Sequence, residues 1–126
     1  MKHLSDKQNQ CQEEVLKAML NIVTFNKFIF FAENNLESLE EIQKSKIPIP
    51  ELSSKSGEIY ERVIGYIQSA KNALEKLSPY IEIDSINSYL NKAIAQMKQG
   101  DYSEAQESVG FAQLELENKI FKTVYS

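Results

Sequence analysis

The residues best suited to chemistry in this chain are carboxylates. Glu33, Glu37, Glu40 and Glu41 recur about one helical turn apart, and Glu58 and Glu61 follow a proline-broken stretch. Two pairs of the form Glu-x-x-Glu, Glu37 with Glu40 and Glu58 with Glu61, offer oxygen ligands from two separate segments. Mg²⁺ takes a few such carboxylates and leaves its other positions to water and phosphate oxygens. Other reactive types are scarce. The single cysteine, Cys11, excludes an internal disulfide and a cysteine-based zinc site. The single histidine, His3, reads as a solvated residue near the first position and gives no basis for a Ser-His-Asp triad or a histidine metal site.

The paired acidic motifs resemble those of the all-α nucleotide pyrophosphohydrolases of the MazG type, over residues 37–61. The resemblance implies Mg²⁺ held over a triphosphate by Glu37, Glu40, Glu58 and Glu61, with Glu61 standing where the family carries its final aspartate. Helical geometry weighs against it. At about 100° per residue, Glu58 and Glu61 fall more than 100° from the centre of the Ile59–Val63–Tyr66–Ala70 stripe. Glu37 points further out than Glu33 and Glu40. A solvated acidic face, with no metal and no cofactor, is the expectation.

A second motif, Gly100-Asp101-Tyr102-Ser103-Glu104-Ala105 followed by Val109 and Ala112, is similar to the inter-helix turn of a tetratricopeptide repeat. The resemblance implies a glycine ending one helix and small alanines packing an αα-hairpin. It occurs once, whereas a solenoid needs about three copies, so a generic hairpin is expected.

Four helices must position these residues. Val15, Ala18, Ile22, Phe25, Ile29, Ala32, Leu36 and Leu39 alternate in steps of three and four, an a/d seam, with Leu16, Val23 and Phe30 on its flank and Cys11 on its extrapolation. With no Gly or Pro from Leu4 to Ile47, and Ser5 and Gln8 as a capping box, the spacing predicts one helix over 5–44. Asn34-Asn35 is its weakest point, and Lys44 and Lys46 suit its negative dipole end. Lys46-Ile47-Pro48-Ile49-Pro50 breaks the helix, and Ser53-Ser54-Lys55-Ser56-Gly57 extends the expected linker over 45–57. The second helix, 51–77, starts at Pro50 or after Gly57. It carries Leu52, Ile59, Val63, Tyr66, Ala70, Ala73 and Leu77, with Tyr60, Ile67 and Leu74 as flank. The third, 84–99, is capped by Asp84 or Ser85, buries Ile86, Leu90, Ala93 and Met97, and ends at Gly100 in the C′ position. The fourth, 102–123, is capped by Asp101 with Glu104 and buries Ala105, Val109, Ala112, Leu116 and Ile120, with Leu114, Phe121 and Val124 on its flank. Gly110, in mid-helix, suggests a close helix–helix contact.

These 126 residues make one domain, 1–126, an all-α antiparallel up-down bundle of four helices with an unusually long first helix. At this mass, about 7,000 Å² of folded surface against about 21,000 Å² unfolded suffices for a core. The net charge of -4 and the lone arginine, Arg62, give no basic stripe, which argues against nucleic acid as a partner. The longest unbroken apolar run, Phe28 to Ala32, is too short to span a bilayer, and the first residues lack the apolar core of a signal peptide. The expectation is a cytoplasmic protein with a reduced thiol. Its function is expected to be non-enzymatic: an adaptor, small chaperone or inhibitor that binds another protein or itself through helix–helix burial of apolar side chains. The excess seam of helix 1 makes a homodimer plausible. Candidate partner-binding residues are Phe28, Phe30, Phe31, Tyr80 and Tyr102, since phenylalanines on several faces of helix 1 serve either a core or a patch. Two alternatives stand beside it: the Mg²⁺-dependent hydrolase, and a bundle enclosing a small apolar ligand.

Overall fold

The computed structural model describes the backbone of residues 2–45 and 50–125 and the side chains of residues 9–45 and 55–123. Four helices follow in order: α1 (Lys2–Lys44), α2 (Pro50–Glu75), α3 (Asp84–Lys98) and α4 (Tyr102–Tyr125). Among the described residues there is no strand.

Cross-contacts fix an up-down arrangement. Phe28 of α1 meets Tyr66 of α2, and Gln43 near the end of α1 donates to the Gly100 carbonyl in the α3–α4 turn at 2.9 Å. Gln113 of α4 reaches Asn26 of α1 at 3.4 Å. So α1 lies antiparallel to both α2 and α4, and α3 pairs with α4 as a tight hairpin. Of the helix pairs that touch, α2 and α3 meet least extensively, bridged by Lys71 Nζ donating to Asn91 Oδ1 at 2.6 Å.

The core is built from the stripes the spacing marks, with shifts. On α1, Phe25, Ile29, Ala32, Leu36 and Leu39 are buried; on α3, Ile86, Leu90, Ala93 and Met97; on α4, Ala105, Val109, Ala112 and Leu116. On α2 the inward stripe is Val63-Ile67-Ala70-Leu74-Leu77 with Ala73, so Ile67 and Leu74, expected on the flank, lie at the centre, while Ile59 and Tyr66 are only partly buried. The apolar face of α2 is broad enough for two stripes, and its neighbours select one.

Several local expectations are corrected. α1 starts at Lys2, so Ser5 lies inside it rather than at its cap, and it continues through Asn34-Asn35. There Asn35 Nδ2 donates to the Phe31 carbonyl at 2.7 Å, one turn back, so the amide caps its own helix instead of breaking it. α2 begins at Pro50, where a missing N–H costs nothing, so the linker does not extend to Gly57; α2 ends at Glu75. α3 has Ile83 as N-cap with no side-chain cap bond, leaving Asp84 as a first-turn charge. The expected features at Lys46 and the prolines of 48–50 before α2 fall largely on residues 46–49, and the side chains of His3, Leu52 and Val124 likewise lie outside the described residues. Gly100 behaves as expected. Its φ is 79°, Gly100 N–H donates to the Met97 carbonyl at 3.0 Å and Asp101 N–H to that of Gln96 at 2.9 Å, which together form a Schellman motif.

Candidate protein-interaction surface

α1 is too long for its neighbours. At 1.5 Å per residue its 43 residues extend about 64 Å, against about 39 Å for α2 and about 36 Å for α4. The antiparallel register sets the ends of α2 and α4 beside residues 15–22 of α1, so the segment before Val15 projects past the bundle. The expected seam is therefore occupied only in part. Ala18 and Ile22 pack against the edge of the core, whereas Val15 and Cys11 are exposed. Cys11, on the extrapolation of the seam, is exposed because the bundle ends beside it, and it lines the open side of a cleft with Val15 and Met19.

The overhang and the adjoining half of α1 form an apolar surface. Val15, Leu16, Met19, Leu20, Val23 and Phe30 are 56–63% exposed. They divide into two faces. Val15, Ala18, Met19 and Ile22, with Cys11, form one wall of a half-open apolar cleft of about 370 Å³, closed by Leu77, Tyr80 and Ile81 after α2 and by Ile120 of α4. Leu16, Val23 and Phe30 line the side turned away from α2 and α4, with Leu20 at its margin beside Lys76 and Tyr80, and the row again runs in three-four steps with Lys27 between Val23 and Phe30. Sequence reasoning treated Leu16, Val23 and Phe30 as a flank and passed over Met19 and Leu20. Their signal was the second seven-residue repeat, which one seam cannot use.

The five candidate partner-binding residues separate. Phe30 and Tyr80 are exposed, on the outer face and in the cleft respectively. Phe28 and Phe31 pack on Tyr66, with ring centroids 6.1 and 5.4 Å away, and Lys27 Nζ leans over both rings at 5.4 and 6.0 Å. Tyr102 packs against the edge of the core, near Tyr60, whose phenol burial pushes above its ordinary value with help from Tyr102 and Glu61. No single surface gathers all five.

The acidic residues do not converge. Glu37, Glu58 and Glu61 are exposed, and Glu40 pairs with Lys44 of its own helix at 2.8 Å; that hydrogen bond holds the Lys44 ammonium above its ordinary value. Among the described residues no group of three acidic, histidine or cysteine side chains could hold a metal ion. Glu33, like Glu40, is part-buried. It lies between α1 and α4, where a methyl built on Gly110 would meet its Oε1 at 3.7 Å, and burial pushes its carboxyl above the ordinary range. That spacing is ordinary van der Waals contact, so the close approach expected at Gly110 does not require glycine.

The five-residue limit used to exclude a membrane span understated α1. Within Asn9–Lys44 an 18-residue window has a mean hydropathy of 1.5, with only 17% of it buried, long and apolar enough to cross a membrane by length and composition. Lys17, Asn21, Asn26 and Lys27 interrupt the apolar residues of α1, and Phe25, Ile29 and Ala32 are already buried in the bundle. Comparison with protein families, curated proteins and solved structures finds no match to this chain.

Proposed function

We propose that this protein is a non-enzymatic interaction module that binds through the apolar side chains α1 presents beyond its own bundle. One observation carries the reading: six large apolar residues of a single helix, Val15 to Phe30, are each more than half exposed beside a fully buried apolar core. A folded monomer rarely leaves a contiguous apolar patch of this kind, and a helix that is apolar on most sides is one that another surface covers. In this reading the partner is a protein, docking helix against helix. The chain works in the cytoplasm with Cys11 reduced, and the acidic balance disfavours nucleic acid.

The test places charge on the outer face of α1. Leu16→Asp with Val23→Asp leaves the helical circular dichroism and melting midpoint of the dilute protein unchanged and abolishes association with itself and with any captured protein. If association survives both changes, the binding surface lies elsewhere and the reading fails.

The cleft favours a second reading, a small apolar ligand. Its volume of about 370 Å³ and its lining of Val15, Ile22, Leu77 and Ile81 match the lower range of ligand sites, about 300–1,000 Å³. A thermal shift with a fatty acid, lost in Ile81→Asp, supports it; the absence of any shift across a panel of apolar compounds removes it.

A further inference from the structure

The outer stripe of α1 has a charge pattern of its own. Leu16, Leu20, Val23 and Phe30 form its apolar stretch, Lys27 interrupts that stretch, and one step before Leu16 the same three-four spacing reaches Glu13. Glu13 and Lys27 are both exposed, and among the described residues neither has an oppositely charged side chain within ion-pair distance. The stripe is thus acidic at one end, apolar in the middle and basic towards the other end.

We infer that this stripe pairs with the same stripe of a second copy of the chain, antiparallel, about a two-fold axis near Leu20 and Val23. The inference rests on the interaction reading above and names its partner. Three observations select a second copy. First, the charges are self-complementary in this direction: an antiparallel copy brings Lys27 of each chain within about a helical turn of Glu13 of the other, twice by symmetry, whereas a parallel copy sets like against like. Second, the stripe is bare: Leu16, Leu20, Val23 and Phe30 are each 57–63% exposed, an apolar row that pairing with a second helix removes from water. Third, the face is accessible: Leu16, Val23 and Phe30 are exposed on the side of α1 opposite the buried Phe25, Ile29 and Ala32, and of the four Leu20 lies at the margin, beside Lys76 and Tyr80. Leu20 and Val23 of both copies then form the dry centre, and the Lys27 stems cover the edges while their ammonium groups stay wet.

The experiment is light scattering and sedimentation equilibrium of the full chain over a concentration series. The native chain is expected to dimerise, and Leu20→Asp to raise the dissociation constant by at least about tenfold, as loss of a central apolar anchor does, with helicity retained. Lys27→Glu and Glu13→Lys are each expected to weaken the dimer, and the double variant on one chain to restore it. In a parallel dimer each single reversal replaces one like-charge pair by another and changes little, so dimers indifferent to both reversals overturn the antiparallel pairing. A strict monomer at all concentrations overturns self-association. If that monomer binds a different protein in a manner sensitive to Leu20→Asp, the interaction reading stands while this inference falls. If it instead binds phosphatidylcholine–phosphatidylglycerol vesicles and no protein, both fall.

Discussion

Glu33 is the side chain in which burial and charge conflict most plainly. It is part-buried between α1 and α4, and desolvation raises its carboxyl above the ordinary range. A raised acid is penalised in the fold once ionised. The chain therefore loses stability as the pH climbs from the ordinary carboxylate range through the raised value, and keeps it below that window, where the group is protonated in both states. Glu33→Gln is expected to raise the melting midpoint at neutral pH, to leave it unchanged near pH 3, and to flatten the profile between; thermal melts across that range check it. The position of Glu33 beside the first seam was legible in its spacing. Its opposition to Gly110 was not, because periodicity on one helix says nothing of what the facing helix brings. The same limit applies to Phe28 and Phe31. Their number showed that α1 is apolar on several faces; only Tyr66 of α2, supplied by the register of the bundle, separates them from the exposed Phe30.

Within the helices, two glycines with opposite backbones give opposite expectations. Gly65 is exposed in mid-α2, with nothing within 4 Å of where a Cβ would stand. Gly65→Ala removes backbone freedom from the unfolded chain and meets no neighbour, so it stabilises by about 0.5–1 kcal/mol. Gly100 has φ at 79°, a region that costs other residues about 1–2 kcal/mol. Gly100→Ala therefore destabilises by about 1 kcal/mol, loosening the turn that Gln43 also holds. Urea titration of both variants measures the two signs directly. Gly100 was identifiable as a helix end because residue type and backbone demand coincide there. The stripes of α3 and α4 were identifiable because each has one apolar face to bury. α2 has more apolar residues than one face needs, so Ile67 and Leu74 were misplaced to the flank until α1 and α3 chose the side that faces inward.

At the scale of the molecule, α1 belongs to two surfaces that a single helix rarely serves at once. Ile29 is fully buried, whereas Val23, six residues earlier and also β-branched, is 63% exposed. Truncating Ile29 to alanine leaves a cavity among α1, α2 and α4 and is expected to cost about 2–5 kcal/mol at any protein concentration. Truncating Val23 leaves no cavity in the single chain, so its cost in dilute solution stays within about 0.5 kcal/mol. As concentration rises, a chain that pairs through its outer face gains stability by mass action, and its melting midpoint climbs. Val23→Ala is expected to blunt that climb while Ile29→Ala shifts the whole curve down without changing its slope. Melting curves of the three proteins over a hundredfold or so in concentration separate the two roles. Equal losses at the dilute end would mean that the outer face is already covered within one chain. A flat native curve would mean that it stays bare when the chain is alone. The spacing of α1 predicted the inner seam and set Leu16, Val23 and Phe30 on its flank, but assigning that flank to an outside surface required knowing which side of α1 the other helices occupy, because α2 and α4 pack on the seam and leave the flank exposed.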